Sequence, residues 1–416
     1  MDLTEALQKT KEASRKLLLC DEKGIDAILK VLAHQLVEQR GEIIAANKKD
    51  LAEIDPDDHV YDRILLNGKR IETMADSVKN IAGYGSPIGE ILEEKVLENG
   101  LQLKKVRVPF GVIGAIFEAR PNVVIDTFAL CLKSRNACVM KGGSQCEKSN
   151  EMLMRIILQS IMEVNPVLLD AVILLSNDRN EVEEFLRQPD YVDVIIPRGG
   201  QGLIDFVREN SLIPVIVTGR GVCHVYFDKD GDAEKGRNIV LNAKTSRPSV
   251  CNALDTLIIH RSRLGDLEKI CRPLEEKNVE IFADEQAFAV LEENYPLNLL
   301  EEATDESFGT EFLALKMAVK TVDSLEEAIF HINKFGTHHS DAIITENSGE
   351  AEKFLKTVDS ACVYVNASTR FSDGGVFRLG AEIGISTQKL HARGPMGIKE
   401  LTSYKWECIG RGQIRT

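Results

Sequence analysis

The sequence predicts an α/β protein with mostly parallel sheets. Between residues 109 and 196 strand and helix patterns alternate, the rhythm of βαβ units whose helices cover both faces of a parallel sheet. A second stretch, from about 230 to 365, alternates in the same way. The strand segments, such as Gly111-Val112-Ile113-Gly114-Ala115-Ile116-Phe117, read as buried, as parallel strands do.

Each element follows from its local pattern. Residues 3–80 read as helices, with Ala27, Ile28, Val31, Leu32, Leu36 and Val37 at helical spacing. Asp55-Pro56-Asp57-Asp58 breaks the pattern, and a further helix runs from about 69 to 81, ended by Gly83 and Gly85. Two alternating stretches, 91–97 and 101–108, flank Asn99-Gly100, a strong hairpin signal. Strand 111–117, helix 123–132, strand 137–140, helix 149–164, strand 171–175, helix 180–187 and strand 192–196 follow. Next come Val215-Ile216-Val217, a Gly219-Arg220-Gly221 turn and strand 224–227. The second unit carries strand 255–259, helix 264–275, strand 316–319, helix 324–334 and strands 340–345 and 361–365. Residues 366–397 are rich in Gly, Ser and Thr without regular pattern, and so long an irregular segment in a compact protein is usually functional.

Composition narrows the class. The 416 residues, 44% hydrophobic and 28% charged, give room for roughly two to three domains. With 51 basic against 65 acidic residues the net charge is −14, which argues against a nucleic-acid or membrane-surface partner but leaves room for a local basic pocket. The nine cysteines are scattered without a CxxC pair, so neither a disulfide framework nor a zinc site is expected, and a reducing cytoplasm is the simplest home. The start, Met1-Asp2-Leu3-Thr4-Glu5-Ala6, reads as an amphipathic helix, and no apolar run reaches the ~20 residues of a spanning helix.

The chemistry centres on Lys244-Thr245-Ser246-Arg247-Pro248-Ser249-Val250-Cys251-Asn252-Ala253. A thiol after a basic, small-residue turn is partly thiolate at neutral pH and can attack an activated carbonyl; a buried core cysteine is the competing reading. Lys141-Gly142-Gly143-Ser144 at a strand end offers an amine for ribose hydroxyls, with glycines that admit a cofactor to the backbone. Pro197-Arg198-Gly199-Gly200-Gln201-Gly202 opens a helix, where free N–H groups favour an anion. It is not GxGxxG, and bare turns are the alternative for both glycine stretches. In Glu118-Ala119-Arg120-Pro121-Asn122 the Asn122 amide is either an oxyanion donor or a helix N-cap. Arg120, Arg247, Arg370 and Arg393 are the candidates for a substrate carboxylate or phosphate. His338 and His339 lack partners at ligand spacing and read as loop residues, with no metal.

Together these segments resemble the aldehyde dehydrogenase superfamily and, within it, the γ-glutamyl phosphate reductase family. The narrower resemblance rests on Phe117-Glu118-Ala119-Arg120-Pro121-Asn122-Val123, Ile196-Pro197-Arg198-Gly199-Gly200 and Asn242-Ala243-Lys244-Thr245-Ser246-Arg247-Pro248. It continues through Val363-Tyr364-Val365-Asn366-Ala367-Ser368-Thr369-Arg370-Phe371, Gly380-Ala381-Glu382-Ile383-Gly384-Ile385-Ser386-Thr387-Gln388 and His391-Ala392-Arg393-Gly394-Pro395, so it covers nearly the whole chain. The resemblance implies an aldehyde dehydrogenase-like fold of two α/β domains with mostly parallel sheets and a small β oligomerisation arm. Residues 1–86 and 107–222 would form the cofactor-binding domain, 223–400 the catalytic domain, and 87–106 with 401–416 the arm.

By the same resemblance Cys251 is the nucleophile, Asn122 the oxyanion amide, Lys141 the lysine on the adenosine ribose and Glu311 the glutamate on the nicotinamide ribose. Hydrolytic relatives carry a general-base glutamate in Glu-Leu-Gly-Gly, where this chain has Val217-Thr218-Gly219-Arg220, so thioester hydrolysis should be slow. Many NAD-using relatives have a glutamate where Ser144 stands; serine removes its repulsion of a 2′-phosphate, so NADPH/NADP is the implied cofactor. The implied reaction is reduction of L-glutamate 5-phosphate to L-glutamate 5-semialdehyde in proline biosynthesis. A homo-oligomer and association with glutamate 5-kinase, source of the labile acyl phosphate, are further expectations. The rivals are oxidation of another aldehyde and a catalytically silent binding subunit.

Overall fold

A computed structural model describes residues 2–56 and 58–415; Met1 of the expected first helix, Asp57 of the expected break and Thr416 of the expected arm lie outside the described residues. Two compact units divide the chain. One comprises Met1–Thr218, Arg378–Gly384 and Pro395–Thr416, the other Gly219–Phe377 and Ile385–Gly394.

The first unit opens with α1 (Leu3–Leu17), α2 (Glu22–Glu38), α3 (Arg40–Leu51), α4 (His59–Ile64) and α5 (Gly68–Gly83). Helical spacing buries Ile25, Ile28, Leu29, Leu32 and Leu36 of α2 along one stripe. The Asp21 and Asn67 side chains accept hydrogen bonds from the N–H groups of Gly24 and Arg70, filling donors that a helix start leaves open. β1 (Ile91–Val96) and β2 (Gln102–Pro109) pair antiparallel, with Gly100 of the Asn-Gly turn at φ 83°.

There follow β3 (Val112–Phe117), α6 (Asn122–Lys133), β4 (Ala137–Lys141), α7 (Glu147–Val164), β5 (Val172–Leu174), α8 (Arg179–Phe185), β6 (Val194–Arg198) and α9 (Gln201–Asn210). The strand order is β5-β4-β3-β6, and every pair is parallel. All six residues of β3 are buried, which explains its unbroken apolar run. Residues 215–217 add no full strand; Val215 makes a single parallel bridge to Ile195.

The second unit holds β7 (Cys223–Phe227), α10 (Ala233–Thr245), β8 (Leu254–His260), α11 (Leu267–Glu275), β9 (Glu280–Ala283), α12 (Glu285–Leu291), β10 (Leu300–Glu302), α13 (Asp305–Phe308), β11 (Lys316–Val322), α14 (Leu325–Phe335), β12 (Ser340–Ile344), α15 (Ser348–Thr357) and β13 (Cys362–Val365). Its sheet runs β10-β9-β11-β8-β7-β12-β13, parallel throughout. Period-two alternation splits the core between the faces. Val225, Phe227, Leu257, Ile259, Ala342 and Ile344 pack with residues of α10, α11 and α12, whereas Tyr226, Ile258 and Ile343 pack with those of α14 and α15.

Two expectations are corrected. The basic stretch before Cys251 is not all turn, because Lys244 and Thr245 end α10. Nor does the whole of 223–400 form one domain. Residues 378–384 and 395–400 belong to the first unit, where the Ile383 N–H donates to the Met396 carbonyl at 3.0 Å and the Met396 N–H to that of Gly384 at 2.9 Å. Within the irregular 366–397 segment only β14 (Ile385–Ser386) and β15 (Gly394–Pro395) are extended strands. Last, β16 (Thr402–Ile409) pairs antiparallel with β2 from Thr402↔Pro109 to Ile409↔Gln102, completing a three-stranded sheet with β1.

Candidate active site

In the second unit Cys251 stands on the turn that enters β8, closed by a 3.0 Å bond from the Ala253 N–H to the Val250 carbonyl. It is partly exposed, at the amino end of the sheet. The carboxyl-end rule, which anticipates ligands beyond strand C-termini, does not describe this unit's thiol. The Cys251 backbone is held from two sides. The Cys223 thiol, pushed well above its usual pKa by burial, stays protonated and donates to the Cys251 carbonyl at 3.1 Å. Gly221 lies so close that a Cβ there would sit 1.6 Å from the same oxygen.

Asn252 is buried and fully committed. Its amide donates to the Ser372 carbonyl at 2.7 Å, its carbonyl accepts from the Thr369 hydroxyl at 2.7 Å, and its Oδ1 accepts from the Arg370 guanidinium. Arg370 also donates from Nε to the Ser246 hydroxyl at 3.1 Å. Burial lowers the pKa of Arg370, Arg247 adds like-charge repulsion, and negative charge on Cys251 favours the cation. Arg370 therefore bears on the thiol and Arg247 on Arg370, two cations where an anionic acyl donor would be welcome. Lys244 is not one of them; its side chain is buried, 3.8 Å from Asp255.

Glu311 accepts from the Gly221 N–H at 2.9 Å, which ties it to the segment pressed against Cys251. Arg393 is engaged elsewhere. Its guanidinium donates to the Asp359 carboxylate at 2.9 Å and carbonyl at 2.6 Å, and Lys389 and Arg393 together hold the Asp359 carboxyl down to about 2. His339 lies in the loop ahead of β12, as expected, and is buried there in a polar row: Nδ1 lies 2.8 Å from the Ser340 hydroxyl, which is 2.6 Å from that of Ser372, itself 2.7 Å from Tyr364 Oη. Burial holds His339 at about 4, so it is neutral near pH 7.

In the first unit the carboxyl ends of the strands carry the polar groups. β3–β4 register sets Ile116 beside Lys141, and β3–β6 register sets Phe117 beside Arg198. Desolvation lowers the Lys141 pKa, opposed by Cys146 and Glu118. Gly142 serves packing, since a Cβ would meet Asn150 Nδ2 at 2.1 Å. Ser144 is exposed, at the start of a 3₁₀ turn. The anion expected at the Gly199-Gly200 turn is the chain's own: the Gly200 N–H donates to the Glu118 carboxylate at 2.7 Å. Asn122 is not an N-cap, because Pro121 holds that position; its amide donates to Asp126 at 2.9 Å. Burial raises the Asp126 pKa. Arg120, ahead of Pro121, has φ 91°, a left-handed conformation uncommon outside glycine and frequent at functional sites.

Sequence reasoning passed over Asp255, Asn252, Ser372 and Glu118. Asp255 had a signal: an acid inside the apolar run Leu254–Ile259. Ser372 had none, because its partners Asn252 and Ser340 are distant in sequence.

The arrangement of sheets and strand-end residues defines a class first. The acetylating aldehyde dehydrogenase of Geobacillus thermoglucosidasius superposes with a TM-score of 0.72 at 16% identity, covering 100% of this chain and 97% of that one, so the fold is that of aldehyde dehydrogenases. The γ-glutamyl phosphate reductase of Thermotoga maritima superposes with a TM-score of 0.95 at 39% identity over 100% of both chains. The γ-glutamyl phosphate reductase of Chlorobium phaeobacteroides is 53% identical over 411 residues, 98% of each chain. No family model matches the sequence. On these relatives the chain belongs to the γ-glutamyl phosphate reductase family.

Proposed function

We propose that this chain catalyses the NADPH-dependent reduction of L-glutamate 5-phosphate to L-glutamate 5-semialdehyde and phosphate, the second step of proline synthesis from glutamate. The observation that carries the reading is the setting of Cys251: a partly exposed thiol whose backbone is clamped by Gly221 and Cys223, with Arg370 acting on it and Arg247 near Arg370 in turn.

The Cys251 thiolate attacks the acyl phosphate, and the Asn122 amide donates to the oxyanion. As the thioester forms, the C–O bond to phosphate breaks and the leaving dianion is received by Arg370 and Arg247. Arg120 and Arg393 are the further candidates for the substrate's charged groups; Arg393 would first have to leave Asp359. Where hydrolytic relatives carry a base this chain has Val217, and the neighbouring Thr218 donates its hydroxyl to the Pro197 carbonyl at 2.6 Å, so no carboxylate at that place activates water against the thioester.

To a dinucleotide we assign an amine at Lys141, an exposed hydroxyl at Ser144, the Gly199-Gly200 turn, whose Gly200 N–H Glu118 would first have to release, and a carboxylate at Glu311. These residues would hold NADPH, which when bound supplies the hydride that reduces the acyl carbon. Residues 1–86 and 107–222 are assigned to cofactor binding and, of 223–400, the residues that belong to the second unit to catalysis. The β1-β2-β16 sheet, with Leu92, Tyr404 and Trp406 exposed, is assigned to homo-oligomerisation. Cytoplasmic residence and hand-over from glutamate 5-kinase complete the reading; among the described residues no helix is long and apolar enough to cross a membrane.

The test runs the reaction backwards. Glutamate semialdehyde, phosphate and NADP⁺ should yield reduced cofactor only when phosphate is present. Phosphate-independent reduction would assign a hydrolytic dehydrogenase instead, and no reduction with either NADP⁺ or NAD⁺ would remove this substrate.

A further inference from the structure

We propose that Asp255, with the buried Lys244, is a positioning residue that latches the Glu311–Leu313 loop and the Gly221–Cys223 segment to the strand that follows Cys251. The inference rests on the roles read above for Cys251 and Glu311.

Asp255 is the second residue of β8, an acid in a strand otherwise made for the core, and only 2% of its surface is exposed. A buried carboxylate needs partners, and each partner here belongs to a different segment. Oδ1 accepts from the Phe312 N–H at 3.1 Å, Oδ2 accepts from the Cys223 N–H at 3.3 Å, and Lys244 Nζ lies 3.8 Å from Oδ1. Lys244 is itself anchored by donating to the Lys316 carbonyl at 2.7 Å.

The contacts close into a ring. Phe312 adjoins Glu311, which accepts from the Gly221 N–H; Gly221 presses on the Cys251 carbonyl; the Cys223 thiol donates to that carbonyl; and the Cys223 N–H returns to Asp255. Leu313 at φ 50° holds the loop in a left-handed turn that L-residues adopt at a cost. Stability alone does not account for the pair, since well-packed apolar residues in place of a buried ion pair are often as stable or more so. Joining three segments around a nucleophile is what apolar residues cannot do.

The latch has two states. Burial raises the Asp255 carboxyl to about 7, with Glu311 acting in the same direction and Lys244 and the two amide bonds against it. The groups facing it are Lys244 from α10, Glu311 from the loop and Cys223 from β7; the Lys316 amine is occupied by Glu280 at 2.7 Å. Protonation turns one carboxyl oxygen into a donor, so it no longer accepts from the amide that faces it. The latch therefore tightens as pH rises through the Asp255 transition.

The experiment follows phosphate-dependent oxidation of glutamate semialdehyde, measuring kcat and the KM for NADP⁺ from about pH 6 to 8.5. In the wild-type enzyme the cofactor KM should fall severalfold as pH rises, with its step near the Asp255 transition. Asp255→Asn, checked for folding by circular dichroism, should lose the step, raise that KM roughly tenfold and lower kcat by a similar factor. Lys244→Met should keep a step but move it to higher pH, because the carboxylate has lost its counter-charge; a residue that only stabilised the fold would not move it. A folded Asp255→Asn with wild-type kcat, KM and step overturns the proposal. If that variant does not fold, a wild-type profile without the step, or a Lys244→Met step left in place, overturns it equally. Glu311→Gln separates the underlying reading: an unchanged cofactor KM there refutes the ribose role of Glu311, and the latch is then decided by kcat of Asp255→Asn.

Discussion

Gly221 is where the geometry of Cys251, the proposed nucleophile, is exposed to a single methyl group. An alanine Cβ at this position would lie 1.6 Å from the Cys251 carbonyl oxygen, 2.5 Å from its carbon and 2.9 Å from its Cα. An ordinary C···O approach is no closer than about 3.3 Å, so the two segments must separate by roughly 1.7 Å. All three clashing atoms are backbone, so no rotamer change relieves them. Gly221 is not among the glycines with positive φ, so the effect comes from the added carbon and not from lost backbone freedom. A shift of about 1 Å in a reacting group can cost 100-fold in rate, or roughly 2.7 kcal/mol of barrier. Gly221→Ala should therefore lower kcat/KM of the phosphate-dependent semialdehyde oxidation by about two orders of magnitude, with the circular dichroism spectrum retained. Gly265→Ala, where a Cβ meets nothing within 4 Å, is the matched control and should retain wild-type activity. A folded Gly221→Ala enzyme within about threefold of wild type would refute the clamp argument.

Four further outcomes test other links. Cys251→Ala should abolish turnover while NADPH still quenches or shifts fluorescence on titration; substantial turnover in that variant ends the assignment of the nucleophile. Arg370→Lys should raise the KM for phosphate in the reverse direction by roughly tenfold while leaving the cofactor KM nearly unchanged, because lysine loses the forked contact to Asn252 and Ser246; the reverse pattern would move Arg370 out of the phosphate site. Asp255 is shifted upward on folding, from 3.8 to about 7. Its contribution to stability is thus fully present below about pH 4 and is lost as pH rises through about 7, on the order of 4 kcal/mol for some three units. Denaturant midpoints of Asp255→Asn relative to wild type should therefore improve steadily from pH 4 to pH 7, and a constant difference across that window contradicts the burial argument. Lys133 has a fully buried side chain, 2.5 Å from Asp26 and 3.2 Å from Glu22. Lys133→Met should cost about 3 kcal/mol in urea unfolding, the low end for a broken buried pair because Glu22 is half exposed, and adding Asp26→Leu should recover much of it.

The sequence was most legible where side chains answer to local rules. The helices of 3–80, the Asn99-Gly100 hairpin and the apolar strands of both units are set by spacing, turn chemistry and burial. The order of motifs identified the family, and 53% identity to a relative agrees with it. Positions along the chain also marked Cys251, Asn122, Lys141, Arg370 and Glu311 as candidates. α10 was hidden because its cationic end, Lys244, read as a turn beside the thiol. Arg393 could not be separated from Arg370, since both are arginines in the same irregular segment.

Which partner each charge meets was decided by tertiary structure alone. Lys244 faces Asp255 because β8 and the last turn of α10 bury both, and Arg393 faces Asp359 on the far side of a long loop. The carboxylate at the Gly200 N–H is Glu118 because β3 and β6 run parallel in register. The clamp on Cys251 joins Gly221, Cys223 and Glu311, separated by up to 90 residues. Sequence alone determined most of the elements and the family and nominated the candidate residues, since these follow from local periodicity and motif order. Pairing across the sheets determined the electrostatic partners and the clamp, since desolvation and contact at a few ångströms arise only once distant segments pack.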